Sequence, residues 1–146
     1  REVVDRAELV VGRGVVGDNY VDRPSRTQPD GGPNPDAEIT LMNARIIDVI
    51  TGGDRSRWPL AGDQLYVDLD LSSATCPAGT RLEVGSVVLE VTDHPHTGCQ
   101  KFSRRFGLDA RKWLNVNRTD ERRRGIYARV VTAGEVTTGD QIRVVS

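Results

Sequence analysis

The chain has 146 residues, 37% of them hydrophobic and 28% charged, and its 20 Lys and Arg against 21 Asp and Glu leave a net charge of −1. That length suits a single domain, residues 1–146, with a core large enough to need no metal or disulfide staple; the balanced charge argues against a general nucleic-acid binder, which carries a basic excess. No apolar run reaches the roughly 18 residues that cross a bilayer, the first residues have no signal-peptide core, and two cysteines that need no bridge point to a reducing compartment, the cytoplasm.

In chain order, Leu9-Val10-Val11 closes a first strand and runs into Gly12–Tyr20, where Gly12, Gly14 and Gly17 mark a tight backbone path. Their spacing is not GxGxxG and no helix pattern follows, which excludes a dinucleotide fingerprint. Such a loop either turns the chain or offers backbone N–H groups to an anion. Residues 21–37 hold four prolines and almost nothing apolar, a long loop that in a compact domain is mobile or functional. Ile39–Met42 reads as a strand. Asn43 is a good helix N-cap, Ile46, Ile47 and Ile50 share one helical face over 44–50, and Gly52-Gly53 ends that helix. Leu65–Val67 is a short strand after the Ala61-Gly62-Asp63 turn. Cys76 sits in a Cys-Pro-Ala-Gly turn with no basic neighbour before Arg81, and an unactivated thiol of this kind is structural. Arg81–Val84 and Val87–Thr92 form a hairpin about Gly85-Ser86, the Gly-X pair of a type II′ turn; the second strand alternates poorly, as a strand covered on both faces does.

That strand delivers the chain to His94-Pro95-His96-Thr97-Gly98-Cys99, which contains both histidines and one of the two cysteines. A helix is expected over Gln100–Phe106, so Cys99 stands where the helix begins, with Lys101, Arg104 and Arg105 in the following two turns. Thiol chemistry needs thiolate, and positive charge and unpaired backbone N–H groups favour it. Cys99 is therefore a candidate nucleophile and His96 a candidate group to hold its proton or stabilise its charge. The competing readings are a small buried hydrophobe packing a loop and a loop histidine bonded to backbone. A zinc reading of His94, His96 and Cys99 supplies only three ligands in no familiar four-ligand spacing.

Residues 109–114 predict a short helix with Trp113 and Leu114 inward, 115–124 a polar loop, and Ile126–Val131 a strand turned by Thr132–Glu135; Gln141–Val145 closes the chain. Residues 101–129 carry ten Lys and Arg against three acids, a patch suited to a small anionic ligand. Arg122, Arg123 and Arg124 cannot all face one way on an extended chain. Arg129, within a strand, needs an acidic partner or an anionic ligand if buried.

Short strands separated by Gly and Pro turns describe a mainly β, α+β domain, most economically a mixed β-barrel with a few short helices. The order of the segments Gly14–Asp18, Ile39–Met42, Ala61–Leu65, Leu69–Ser72, Gly79–Gly85, Leu89–Thr92, His96–Phe106, Arg124–Val131 and Gly134–Asp140 resembles the MOSC domain, named from the C-terminal domain of molybdenum-cofactor sulfurases. The resemblance implies a MOSC-type barrel, like that of pyruvate kinase. It also implies a cysteine, here Cys99, that carries labile sulfur or ligates the molybdenum of a pterin cofactor. Lys101, Arg104, Arg105, Arg124, Arg129, Gly17 and Asp18 are the expected cofactor-binding residues. The family often has Arg-His after the first Gly-Asp, where this chain has Asn19-Tyr20. With no pyridoxal-phosphate desulfurase segment in the sequence, no pyridoxal phosphate is expected, and any sulfur donor is expected to be another protein, as is a molybdoenzyme acceptor. Two other readings stand beside a sulfur carrier or transferase: a non-catalytic barrel that binds an anionic small molecule, and a cofactor-dependent reductase component acting on N-hydroxylated substrates.

Overall fold

The computed structural model describes residues 3–18 and 32–146. Within them lie nine strands and three α-helices: β1 (Arg6–Val10), β2 (Gly14–Val15), β3 (Ile39–Asn43), α1 (Ala44–Thr51), β4 (Leu65–Val67), β5 (Arg81–Val84), β6 (Val87–Val91), α2 (Gln100–Phe106), α3 (Leu108–Leu114), β7 (Ile126–Thr132), β8 (Gly134–Thr137) and β9 (Ile142–Val144). Two 3-10 segments, Pro35–Ala37 and Arg55–Ala61, complete the described residues' helical structure. Most of the proline-rich loop 21–37, and the Asn19-Tyr20 pair before it, fall outside the described residues.

Strands β4-β3-β7-β6-β5-β9 make one sheet and β2-β1-β8 another. Only β3 and β4 pair in parallel, joined through α1, so the sheet is mixed. A single residue, Ala133, separates β7 from β8, and the sheets curl toward each other into a nearly closed barrel that leaves few free edges. Period-two alternation fills the interior: Leu82 and Val84, then Val87, Leu89 and Val91, then Ile126, Ala128 and Val130 all point inward with Leu9, Ile39 and Leu41. The strand expected to be covered on both faces, β6, instead alternates, with Val88 and Glu90 half-buried on its outer side. The seam is closed by a buried carboxylate. Glu38 accepts a 2.7 Å bond from the N–H of Val130, beside a bulge in the β6–β7 ladder, and another from Gly12. Burial pushes its carboxyl up, against those two N–H groups and the Arg129 charge.

A second cluster lies outside the barrel. Met42, next to inward-facing Leu41 on β3, turns the other way and packs with Ile47, Ala61, Phe102 and Leu114. Thus α1, the 3-10 segment, α2 and α3 form a layer over the outer face of β3 and β4. As the sequence implies, Asn43 caps α1, accepting from the N–H of Arg45 at 2.8 Å, and Gly52 ends it with φ 63°. Leu114 is buried, but Trp113 is 37% exposed and carries the Arg123 guanidinium over its ring, a correction to the inward side chain expected. Trp113 and Leu114 stand about 100° apart around the helix, and the packing of α3 buries the Leu114 side, not the Trp113 side. Among the described residues no helix is long and apolar enough to cross a membrane.

Candidate functional site

A cleft of about 300 Å³ opens between the helical layer and the end of β7, at the lower bound for small-molecule sites. Its lining includes His96, Cys99, Lys101, Arg105, Arg124 and Tyr127, with Leu60, Ala61 and Phe102 as its apolar wall. Cys99 is exposed and is the N-cap of α2. Partial burial pushes its thiol up, but the backbone N–H groups of Phe102 and Lys101, and then the Arg124 guanidinium, pull harder the other way; the thiol ends below its ordinary value. These donors belong to the first turn of α2, whose N–H groups have no partner within the helix, although Cys99 makes no side-chain capping hydrogen bond to them. Cys76 is the opposite case. It is fully buried, burial raises its thiol, and its Sγ lies 3.4 Å from the Asp70 carbonyl oxygen.

Arg124 is the electrostatic centre of the site. It is 8% exposed; one terminal nitrogen donates to Asp63 Oδ2 at 2.6 Å and the other to the Ala61 carbonyl at 2.8 Å, while its guanidinium lies 5.4 Å from the centre of the Phe102 ring. Asp63 is buried as well. A buried guanidinium needs such partners. Gly125 makes the placement possible: its φ is +116°, and a Cβ there would overlap the Leu41 carbonyl oxygen, so the chain passes tightly over β3 only without a side chain.

His96 lies beside this pair. Its side chain is 10% exposed, with Nδ1 3.9 Å from Asp63 Oδ1, and its ring stacks on Tyr127 at 4.4 Å between centroids. Burial, then the Arg124 and His94 charges, hold it well below the ordinary imidazole range. It is neutral at pH 7, able to accept a proton but not to lend positive charge to a thiolate; Arg124 has that role. His94 meets the same tyrosine in a tilted contact at 5.0 Å between ring centroids, with Asn34 Nδ2 3.4 Å from its Nδ1. Among the described residues no group of three His, Cys, Asp or Glu is arranged to hold a metal ion, so the zinc constellation does not form.

Of the residues expected at a cofactor, Lys101, Arg105 and Arg124 line the cleft and Arg104, Arg129, Gly17 and Asp18 do not. Arg104 is exposed on α2. Arg129 points outward from β7 and pairs with Glu90, leaving it at the surface. Asp18 Oδ2 accepts from Gln64 Nε2 at 3.3 Å, and Gly17 is exposed before it. The Arg122-Arg123-Arg124 run divides three ways: Arg122 donates to the Cys76 carbonyl, Arg123 to that of Trp113, and only Arg124 enters the cleft. Asp63 and Tyr127 are the site residues the sequence reading passed over. Asp63 was hidden in what looked like an ordinary Gly-Asp turn. Tyr127 could have been found from alternation, since Ile126 and Ala128 must face the barrel.

The sequence matches the family model described as MOSC domain over residues 36–143. No curated protein matches it. Similar solved structures include one titled only as an hypothetical protein (TM-score 0.66, 17% identity, 98% of this chain and 62% of that one). YiiM from Escherichia coli (0.63, 16%, 98% and 64%) and the YUAD protein from Bacillus subtilis (0.62, 17%, 97% and 85%) are also similar. At these identities the likeness is one of fold. The chain spans less than two thirds of the length of the first two.

Proposed function

Because the chain belongs to the MOSC domain family, we propose that Cys99 is its working thiolate, holding a molybdenum-pterin cofactor, or the sulfur destined for one, at the mouth of the cleft. The observation that carries this reading is the contrast between its cysteines: one exposed, lowered by N–H groups and a buried guanidinium, the other sealed and raised. The donor set fits the group. A molybdenum-pterin needs one protein thiolate, which Cys99 supplies, and cations for its phosphate, for which Lys101 and Arg105 line the same cleft. When bound, the cofactor supplies a redox-active metal.

As a sulfur carrier, the chain needs only its own residues and a donor persulfide, R–S–SH. The Cys99 thiolate attacks the outer sulfur, the donor S–S bond breaks, and R–S⁻ leaves; Cys99 becomes Cys–S–SH with no net oxidation. The N–H groups of Lys101 and Phe102 and the Arg124 charge maintain the attacking thiolate, and exposure lets a protein-borne donor reach it. Since Cys99 must stay reduced, this reading puts the protein in a reducing compartment, the cytoplasm. Donor and acceptor are then separate proteins, a persulfide carrier and a molybdoenzyme.

Incubation with inorganic polysulfide followed by peptide mass spectrometry tests the carrier role. One added sulfur is expected on Cys99 and none on Cys76, with Cys99→Ser unloaded. In protein made by a host that synthesises the cofactor, co-purifying molybdenum and pterin are expected to be lost in the same variant. Sulfur on neither cysteine, together with metal content unaffected by Cys99→Ser, would leave only a barrel binding a small anion.

A further inference from the structure

The residue before Cys99 is held in a way no other part of the site explains. Gly98 is buried, and both polar groups of its backbone bind one side chain from the end of α3. Its N–H donates to Asn115 Oδ1 at 2.9 Å, and its C=O accepts from Asn115 Nδ2 at 3.1 Å. A carboxamide is the side chain group that can present one acceptor and one donor side by side in this way. It reproduces the paired bonds of a sheet ladder across 17 residues of sequence. The fit is close: a Cβ on Gly98 would stand 3.4 Å from Arg111 Cγ and 3.5 Å from Asn115 Oδ1. Asn115 itself is fixed, because its backbone N–H closes α3 on the Arg111 carbonyl.

The far end of α2 is tied separately. Arg105 donates to the Leu60 carbonyl at 2.8 Å, and Arg57 donates to the Arg105 carbonyl at 3.2 Å. The Asn115 contact thus fixes the backbone entering α2 on the Cys99 side, next to the buried Phe102 of the first turn.

Resting on the reading of Cys99 as the working thiolate, we propose that Asn115 is its positioning residue: by gripping the Gly98 backbone on both sides it holds Cys99 at the start of α2, facing the cleft. Asn115 is not among the residues that line the cleft. Without it, two buried peptide groups lack partners, and such groups turn toward water and carry their neighbours with them. Cys99 then loses its fixed place at the start of α2 while remaining exposed.

The test is the rate of Cys99 alkylation by iodoacetamide at one neutral pH, followed on the Cys99 peptide, with amide hydrogen exchange at Gly98. Asn115→Ala is expected to slow alkylation about three- to tenfold, the size of one net hydrogen bond lost from the arrangement, and to deprotect the Gly98 amide. Asn115→Gln, which keeps the carboxamide, is expected to recover part of both. Trp113→Ala loosens α3 by removing the ring under Arg123 and is expected to leave the Cys99 rate unchanged, which separates positioning from general destabilisation. Wild-type speed in Asn115→Ala, or equal slowing in Trp113→Ala, overturns the proposal. If wild-type Cys99 already reacts no faster than Cys76, it is the reading of Cys99 that fails.

Discussion

At the residue scale the site is one buried ion pair with a thiol above it and an imidazole beside it. Arg124 and Asp63 lie in the interior, where such a pair gives little net stability but removal of one partner is costly; Asp63 holds in place the guanidinium whose charge acts on His96 and Cys99. Burial first, and then the Arg124 charge, keep His96 neutral, so its protonation reports on the buried surroundings of the pair. Its folded-state value is below that of an unfolded histidine, about 6.5, so the unfolded chain binds the proton first. Stability tied to His96 is therefore complete above about pH 6.5 and is lost as pH falls through the window below it. Urea denaturation at pH 7 and pH 5 is expected to show wild type losing stability faster than His96→Gln, by up to about 1.4 kcal/mol per pH unit. Equal slopes would mean that the imidazole is charged or solvated. Arg129 shows how much of this was legible in the sequence: a partner was expected if it were buried, but it lies exposed on the outer face of β7, and only register identifies its neighbour Glu90.

At the scale of elements, the hairpin about Gly85-Ser86, the cap at Asn43 and the bounds of α2 followed from local chemistry and were legible. They depend on a few adjacent residues. The junction into β7 was not, because it depends on what Gly125 meets across the sheet. Gly125 and Gly79 both have positive φ, 116° and 90°, yet only at Gly125 would a Cβ meet backbone. Gly79→Ala is expected to cost about 1–2 kcal/mol, the penalty of the left-handed region alone. Gly125→Ala should lose distinctly more stability in thermal or urea unfolding, and with it the seat of Arg124. Equal losses at the two positions would show that β7 can shift off β3 without harm. The same distinction explains the error at Trp113, where the period gave a helix but its packing partner selected the buried face.

At the scale of the whole molecule, the barrel and the site occupy different layers. The interior is filled by Leu, Ile and Val, and the cleft lies outside it, where the outer face of β7 meets helices carried on β3. A mainly β barrel was readable from strand periodicity. That Tyr127, Asp63 and Arg124 converge with Cys99 was not, since they arrive from separate connections and nothing local marks them as neighbours. The arrangement leaves the Cys99 thiol exposed on the outer side of the barrel.

The most direct measurement is the pH dependence of alkylation at each cysteine of the wild-type chain, resolved by peptide mass spectrometry. Cys99 is expected to reach half-maximal reactivity below about 8.5, the value of a free thiol, while Cys76 stays slow until well above it. A Cys99 midpoint at or above that of a free thiol, or two cysteines that titrate together, would contradict a thiolate maintained by Arg124 and the first turn of α2.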